Sequence, residues 1–142
     1  MIGIASDHAG FEYKEHLKAL LAERKEAYVD FGTTSKDSTD YPDWGHAAAE
    51  AVASGRCQRA ILICGTGIGM SIVANKHRGV RAAVCANSTQ ARLARAHNNA
   101  NVLALGQRIS GWETVRDIVE TFLSTPFEGG RHQGRVDKLE RP

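Results

Sequence analysis

The stretch ILICGTGIGMSIVANK, residues 61–76, decides how this chain reads. An apolar run from Ala60 to Ile63 ends in Cys64, and glycine then takes three of the next five positions, 65, 67 and 69. Residues 59–64 are short, apolar after Arg59 and bounded by a turn signal, which predicts a buried strand. Residues 69–77 then open a helical pattern. A buried strand that ends in a glycine-rich turn brings backbone close to a ligand. Cys64 sits at the mouth of that turn, where it is either a small packing residue or a reactive one.

Outward from this unit the same alternation repeats. Strands are predicted over residues 1–6, 27–32, 81–86 and 101–106. Helices are predicted over 11–24, 44–55, 89–97 and 111–123, with Tyr13, Leu17, Leu20 and Leu21 spaced along the first. A last, charged helix is predicted over 131–140, after Pro126 and Gly129-Gly130. Residues 33–43, TTSKDSTDYPD, form a polar loop long enough to suggest a functional role. Five strands alternating with helices predict an α/β fold, with one parallel sheet covered on both faces and right-handed crossovers. Such sheets bind ligands outside the carboxyl ends of their strands. Polar or reactive residues do follow the strands: Asp7-His8 after the first, Cys64 to Gly67 after the third, and Gln107-Arg108 after the fifth.

The 142 residues suit one domain, spanning 1–142, and a chain this long buries about 70% of its unfolded surface without staples. A net charge of +2 with no basic run argues against nucleic acid. No span of 18 apolar residues occurs, so no membrane segment is expected, and the N-terminus has no leader-like pattern. Three cysteines, Cys57, Cys64 and Cys85, lack CxxC spacing, which points to a reducing, cytoplasmic setting with no zinc site. His16, His46, His77 and His132 have no partners at metal-ligand spacing in the sequence and are assigned no function; Cys57 and Cys85 are read as packing residues.

The glycine loop is not a dinucleotide fingerprint, because position 70 is Met70 and the region about 20 residues on is the neutral VCANS. No Gly-Lys-Ser/Thr follows, so it is not a P-loop either. What remains is a row of backbone N–H groups at a helix start, suited to a phosphate or to an oxyanion formed during reaction, or else a tight turn made for packing.

Five blocks, SDHAGFEYK, TDYPDWG, ILICGTGIGMSIVANK, AHNNANVLALGQR and EGGRHQGRV, resemble the signature blocks of type B ribose-5-phosphate isomerases, a family grouped with the galactose-6-phosphate isomerase subunits. The resemblance spans nearly the whole chain, in order. It implies a single-domain Rossmann-like α/β/α sandwich with an extra C-terminal helix. It also implies a homodimer with sites at the interface, with pairing into tetramers left open, and no metal or organic cofactor. The activity implied is interconversion of ribose 5-phosphate and ribulose 5-phosphate through a cis-enediolate.

By resemblance, Cys64 matches the base that moves a proton between C2 and C1; a branch with a carboxylate at position 70 lacks this cysteine. Thr66 and the loop amides of Gly65, Gly67, Ile68 and Gly69 match the anion hole. Asp7 matches a contact to sugar hydroxyls, and Tyr41 a loop position near the substrate. His97 matches the residue that assists ring opening, with Asn98 beside it. His8, Arg108, Arg131 and Arg135 match phosphate contacts. His97, Asn98 and Arg108 are expected from the partner subunit. Galactose 6-phosphate, allose 6-phosphate or a four-carbon phosphate are alternative substrates, and a non-catalytic sugar-phosphate or nucleotide binding module is the alternative class.

Overall fold

In the computed structural model, which describes residues 1–140, apolar runs and amphipathic segments alternate as strands and helices. The order is β1 (Ile2–Ser6), α1 (Phe11–Glu23), β2 (Tyr28–Asp30), α2 (Tyr41–Ala53), β3 (Arg59–Cys64), α3 (Ile68–Ala74), β4 (Ala82–Val84), α4 (Ser88–Asn98), β5 (Val102–Gly106), α5 (Trp112–Ser124) and α6 (Arg131–Asp137). The strands form one parallel sheet ordered β2-β1-β3-β5-β4. Strand side chains alternate between two cores. Ile2, Ile4, Ile61, Ile63, Leu103 and Leu105 pack with α1, α4 and α5. On the other face Ala5, Ala60, Leu62, Cys64 and Ala104 meet the alanine-rich side of α2 and the side chains of α3. Small residues there let α2 and α3 approach the sheet closely. Among the described residues no helix is long and apolar enough to cross a membrane.

Several boundaries differ from the sequence reading. Helix α2 begins at Tyr41, not Trp44, because Pro42 fits a first turn whose N–H groups have no helical partner. Helix α3 stops at Ala74, since Asn75 turns its amide to β4, accepting from Ala82 N at 2.8 Å and donating to Ala82 O at 3.0 Å. The edge strands β2 and β4 shrink to three residues each, the part that faces a neighbouring strand. Helix α6 ends at Asp137. A 3-10 turn, His8–Gly10, precedes α1; it is capped by Asp7 Oδ1, which accepts from Ala9 N at 3.0 Å and Gly10 N at 3.1 Å.

Lys14 falls inside the apolar stripe of α1 and is fully buried. Its ammonium donates to Asp30 Oδ1 at 2.6 Å, Asp30 Oδ2 at 2.7 Å and the Thr33 carbonyl at 2.7 Å. This ties α1 to the end of β2 and to the start of the long loop. Burial opposes ionisation of Asp30, but Lys14, Lys18 and the Gly32 N–H hold its carboxyl below the usual value. Its hydrogen bond to Asp30 pushes the Lys18 ammonium up to about 12.

Candidate active site

Strands β1 and β3 are neighbours, and the chain leaves them toward opposite edges of the sheet. Their carboxyl ends therefore frame a crevice, the usual ligand position in such sheets. A cleft of about 440 Å³ opens there, lined by Asp7, His8, Tyr41, Cys64, Thr66 and Arg108, with Gly65, Ile68 and Gly69 along its floor.

Cys64 is the last residue of β3, only 5% exposed, and forms part of this lining. The Gly67 N–H donates to its Sγ at 3.1 Å. The Ile68 N–H donates to Thr66 Oγ1 at 3.2 Å. The row of loop amides is thus divided: Gly67 serves the sulfur and Ile68 serves Thr66. The Gly65, Thr66 and Gly69 N–H groups have no acceptor among the described residues.

The loop glycines are required by packing as well. Gly67 has φ +81°, and a Cβ there would stand 2.9 Å from the Leu105 carbonyl carbon. A Cβ on Gly69 would stand 2.7 Å from the Tyr41 ring, which lies against that residue. A Cβ on Gly65 would stand 3.2 Å from an Arg108 guanidinium nitrogen.

Arg108 belongs to the same cleft as Cys64 of its own chain. Strand β5 pairs with β3, and the Gln107 and Arg108 N–H groups bond the Cys64 and Gly65 carbonyls at 2.9 Å each. The turn after β5 therefore sits against the turn after β3, and Arg108 is exposed toward solvent without a carboxylate partner among the described residues. His8 Nδ1 accepts from the Thr39 N–H at 3.2 Å, which leaves Nε2 as the donor of the neutral ring. The same bond pins the long loop beside the cleft, and Trp44 Nε1 reinforces it by donating to Thr39 Oγ1 at 3.0 Å.

His97, Asn98 and Arg135 lie elsewhere. They line a second cavity of about 250 Å³ with His132, Val136 and Leu139, at the C-terminal end of α4 and the inner side of α6. Arg131 is exposed at the first position of α6. Sequence reading missed Arg95, 5% exposed, which holds this end of α4. Its guanidinium donates to the carbonyls of Ala100 and Thr125 and to Asn99 Oδ1. Burial and the neighbouring Arg59 and Arg81 bring it down to about 10. The signal for it was weak, one of two arginines, Arg92 and Arg95, three apart in α4. Histidine partners also emerge only in space: His46 Nδ1 stands 2.7 Å from His77 Nε2, and the His97 and His132 rings stack with centroids 4.4 Å apart.

The sequence profile of ribose/galactose isomerases matches residues 2–139. The chain belongs to that family. It is 47% identical over 138 residues to the ribose-5-phosphate isomerase B of Escherichia coli, covering 97% of this chain and 93% of that one. It is 40% identical to the D-erythrulose-4-phosphate isomerase of Pectobacterium atrosepticum, covering 97% and 91%. A solved ribose-5-phosphate isomerase B of Clostridium thermocellum superposes with a TM-score of 0.96 at 54% identity, covering 97% of this chain and 93% of that one.

Proposed function

We propose that this chain interconverts ribose 5-phosphate and ribulose 5-phosphate, with Cys64 as the base. The observation that carries the reading is the Cys64 Sγ at the cleft wall, receiving the Gly67 N–H beside three amides with no other acceptor. Isomerisation requires a base for a weakly acidic carbon proton and donors where negative charge develops. The Cys64 thiolate takes the C2 proton of the open-chain aldose, and the electron pair moves onto O1. The Gly65, Thr66 and Gly69 amides and the Thr66 hydroxyl receive that charge. The thiol then returns the proton to C1 while the O2 proton passes to O1, which leaves the ketone at C2 and a hydroxyl at C1. Asp7 holds the sugar hydroxyls, Tyr41 covers the ring-opened chain, and His8 and Arg108 receive the phosphate.

His97 and Asn98, with Arg131 and Arg135, stand outside the Cys64 cleft, which supports a homodimer in which the partner supplies them to each site. His97 there assists ring opening, for which a group titrating near neutrality is suited. The two arginines close on the phosphate with forked donors. Exposed Ile68 and Ile72 on the cleft support the same pairing.

The test is ribulose 5-phosphate formation by wild type and Cys64→Ala side by side. Loss of a general base costs about 10²–10⁴ in rate, with binding of ribose 5-phosphate retained. Absence of wild-type turnover overturns the reading in favour of a binding module. The relative acting on D-erythrulose 4-phosphate supports a second substrate reading. A panel ranked by kcat/KM decides: a four- or six-carbon sugar phosphate leading by about tenfold, 1.4 kcal/mol, overturns the five-carbon substrate.

A further inference from the structure

We propose that His97, Glu128 and His132 form a binding site for a first-row divalent cation, and that filling it withdraws His97 from the substrate. The regulatory half rests on the isomerase reading; the binding half does not.

Three observations converge on one point. One ligand atom from each residue, two imidazole nitrogens and a carboxylate oxygen, lies within 4.8 Å of the others. His132 is 6% exposed and its Nε2 is buried with no hydrogen-bond partner among the described residues. Glu128 Oε2 stands 3.4 Å from that nitrogen, outside hydrogen-bond alignment. Zinc bonds to nitrogen and oxygen are about 2.0–2.1 Å long, so ligand atoms on a zinc tetrahedron stand about 3.3 Å apart. The Glu128–His132 separation already equals such an edge.

The two segments that carry the ligands are anchored to each other. The Glu128 N–H donates to the Ala96 carbonyl at 3.0 Å, one residue before His97. The His132 N–H donates to the Gly129 carbonyl at 3.0 Å, placing Glu128 and His132 one turn apart. Glu128 is exposed, so its carboxylate can advance to complete the set. The imidazoles are now stacked at 13°, so their nitrogen lone pairs lie in nearly parallel, separate planes. Convergence on one ion requires the half-buried His97 ring to turn out of the stack. Two imidazoles and one carboxylate suit zinc and its neighbours, and leave a fourth position for water. All three ligands belong to one chain, so the site needs no partner. The ring that must turn is the one assigned to ring opening, so cation capture and turnover compete.

Equilibrium dialysis of the metal-stripped full chain against zinc chloride reads the site directly. One zinc per chain is expected. Changes in outer-shell partners alone cost about 10–100-fold in affinity, so Glu128→Gln and His132→Gln each weaken binding by at least about tenfold. With cobalt as probe, the spectrum shows d–d bands without a thiolate charge-transfer band, which separates this site from capture by Cys64. Absence of binding, a thiolate band, or binding lost in Cys64→Ala but kept in Glu128→Gln overturns the site. Zinc inhibits turnover of wild type, and Glu128→Gln, active without metal, relieves it. Stoichiometric binding with turnover unchanged overturns the regulatory half. A metal-free chain that binds zinc but has no turnover overturns the isomerase reading and leaves the site standing.

Discussion

Cys64 differs from the other two cysteines in what surrounds its sulfur. Cys57 and Cys85 are buried away from the cleft; burial pushes both thiols up, Cys85 to about 11. The thiolate is the nucleophile, so iodoacetamide should modify Cys64 first, with saturating ribose 5-phosphate slowing the reaction. Peptide mapping checks this, and faster labelling of Cys57 or Cys85 contradicts it. Gly67 carries a second residue-scale prediction. Its φ of +81° and the Leu105 backbone leave no room for a side chain. Gly67→Ala should cost at least about 1–3 kcal/mol in stability through backbone strain. It should also displace the N–H that serves the sulfur, so kcat falls in the fraction that folds. An alanine variant with wild-type unfolding midpoint and kcat would show that neither constraint acts.

Among the elements, α1 and β2 are joined by one ion network, with Lys14 fully buried and Asp30 partly so. Removing one partner of such a pair typically costs about 3–5 kcal/mol; for Asp30, open to water on one side, Asp30→Asn is expected at the lower end. The sign with pH follows from the depressed Asp30 carboxyl. Its contribution is complete above the unfolded value, near 3.9, and is lost as pH falls through the lower folded value. Urea unfolding of wild type and Asp30→Asn should therefore show a gap at pH 7 that narrows below about pH 4. A gap independent of pH would assign the cost to packing alone. For Lys18, raised to about 12, the contribution holds below its unfolded value near 10.5 and fades as pH rises through 12.

At the scale of the whole molecule, the two groups of candidate residues line separate cavities of one chain. If a partner supplies His97, two inactive variants can rescue each other. Cys64→Ala mixed with His97→Ala, unfolded and refolded together, should regain about a quarter of wild-type activity: half the dimers are mixed, each with one intact site of two. Rescue absent from a mixture shown to contain mixed dimers contradicts the shared site.

Much of the fold was legible in the chain because strand and helix periodicity are local properties. The runs at 2–5, 60–64 and 102–106 are apolar throughout, as strands covered on both faces must be. Edge strands read too long because pairing, not propensity, ends them, and Tyr41 read as loop because Pro42 marks a break and a first helical turn alike. Cys64, Asp7 and His8 were legible because strand ends are where such sheets place ligands. What the chain alone determined is the alternating pattern, the residues at the strand ends and the family. Only the tertiary structure decided which of those ends meet. The order β2-β1-β3-β5-β4 puts Arg108 beside Cys64, buries Lys14 on Asp30, and brings Glu128 and His132 to His97. Those are contacts between residues far apart in sequence or across turns, set by sheet pairing and helix packing, which no local pattern encodes.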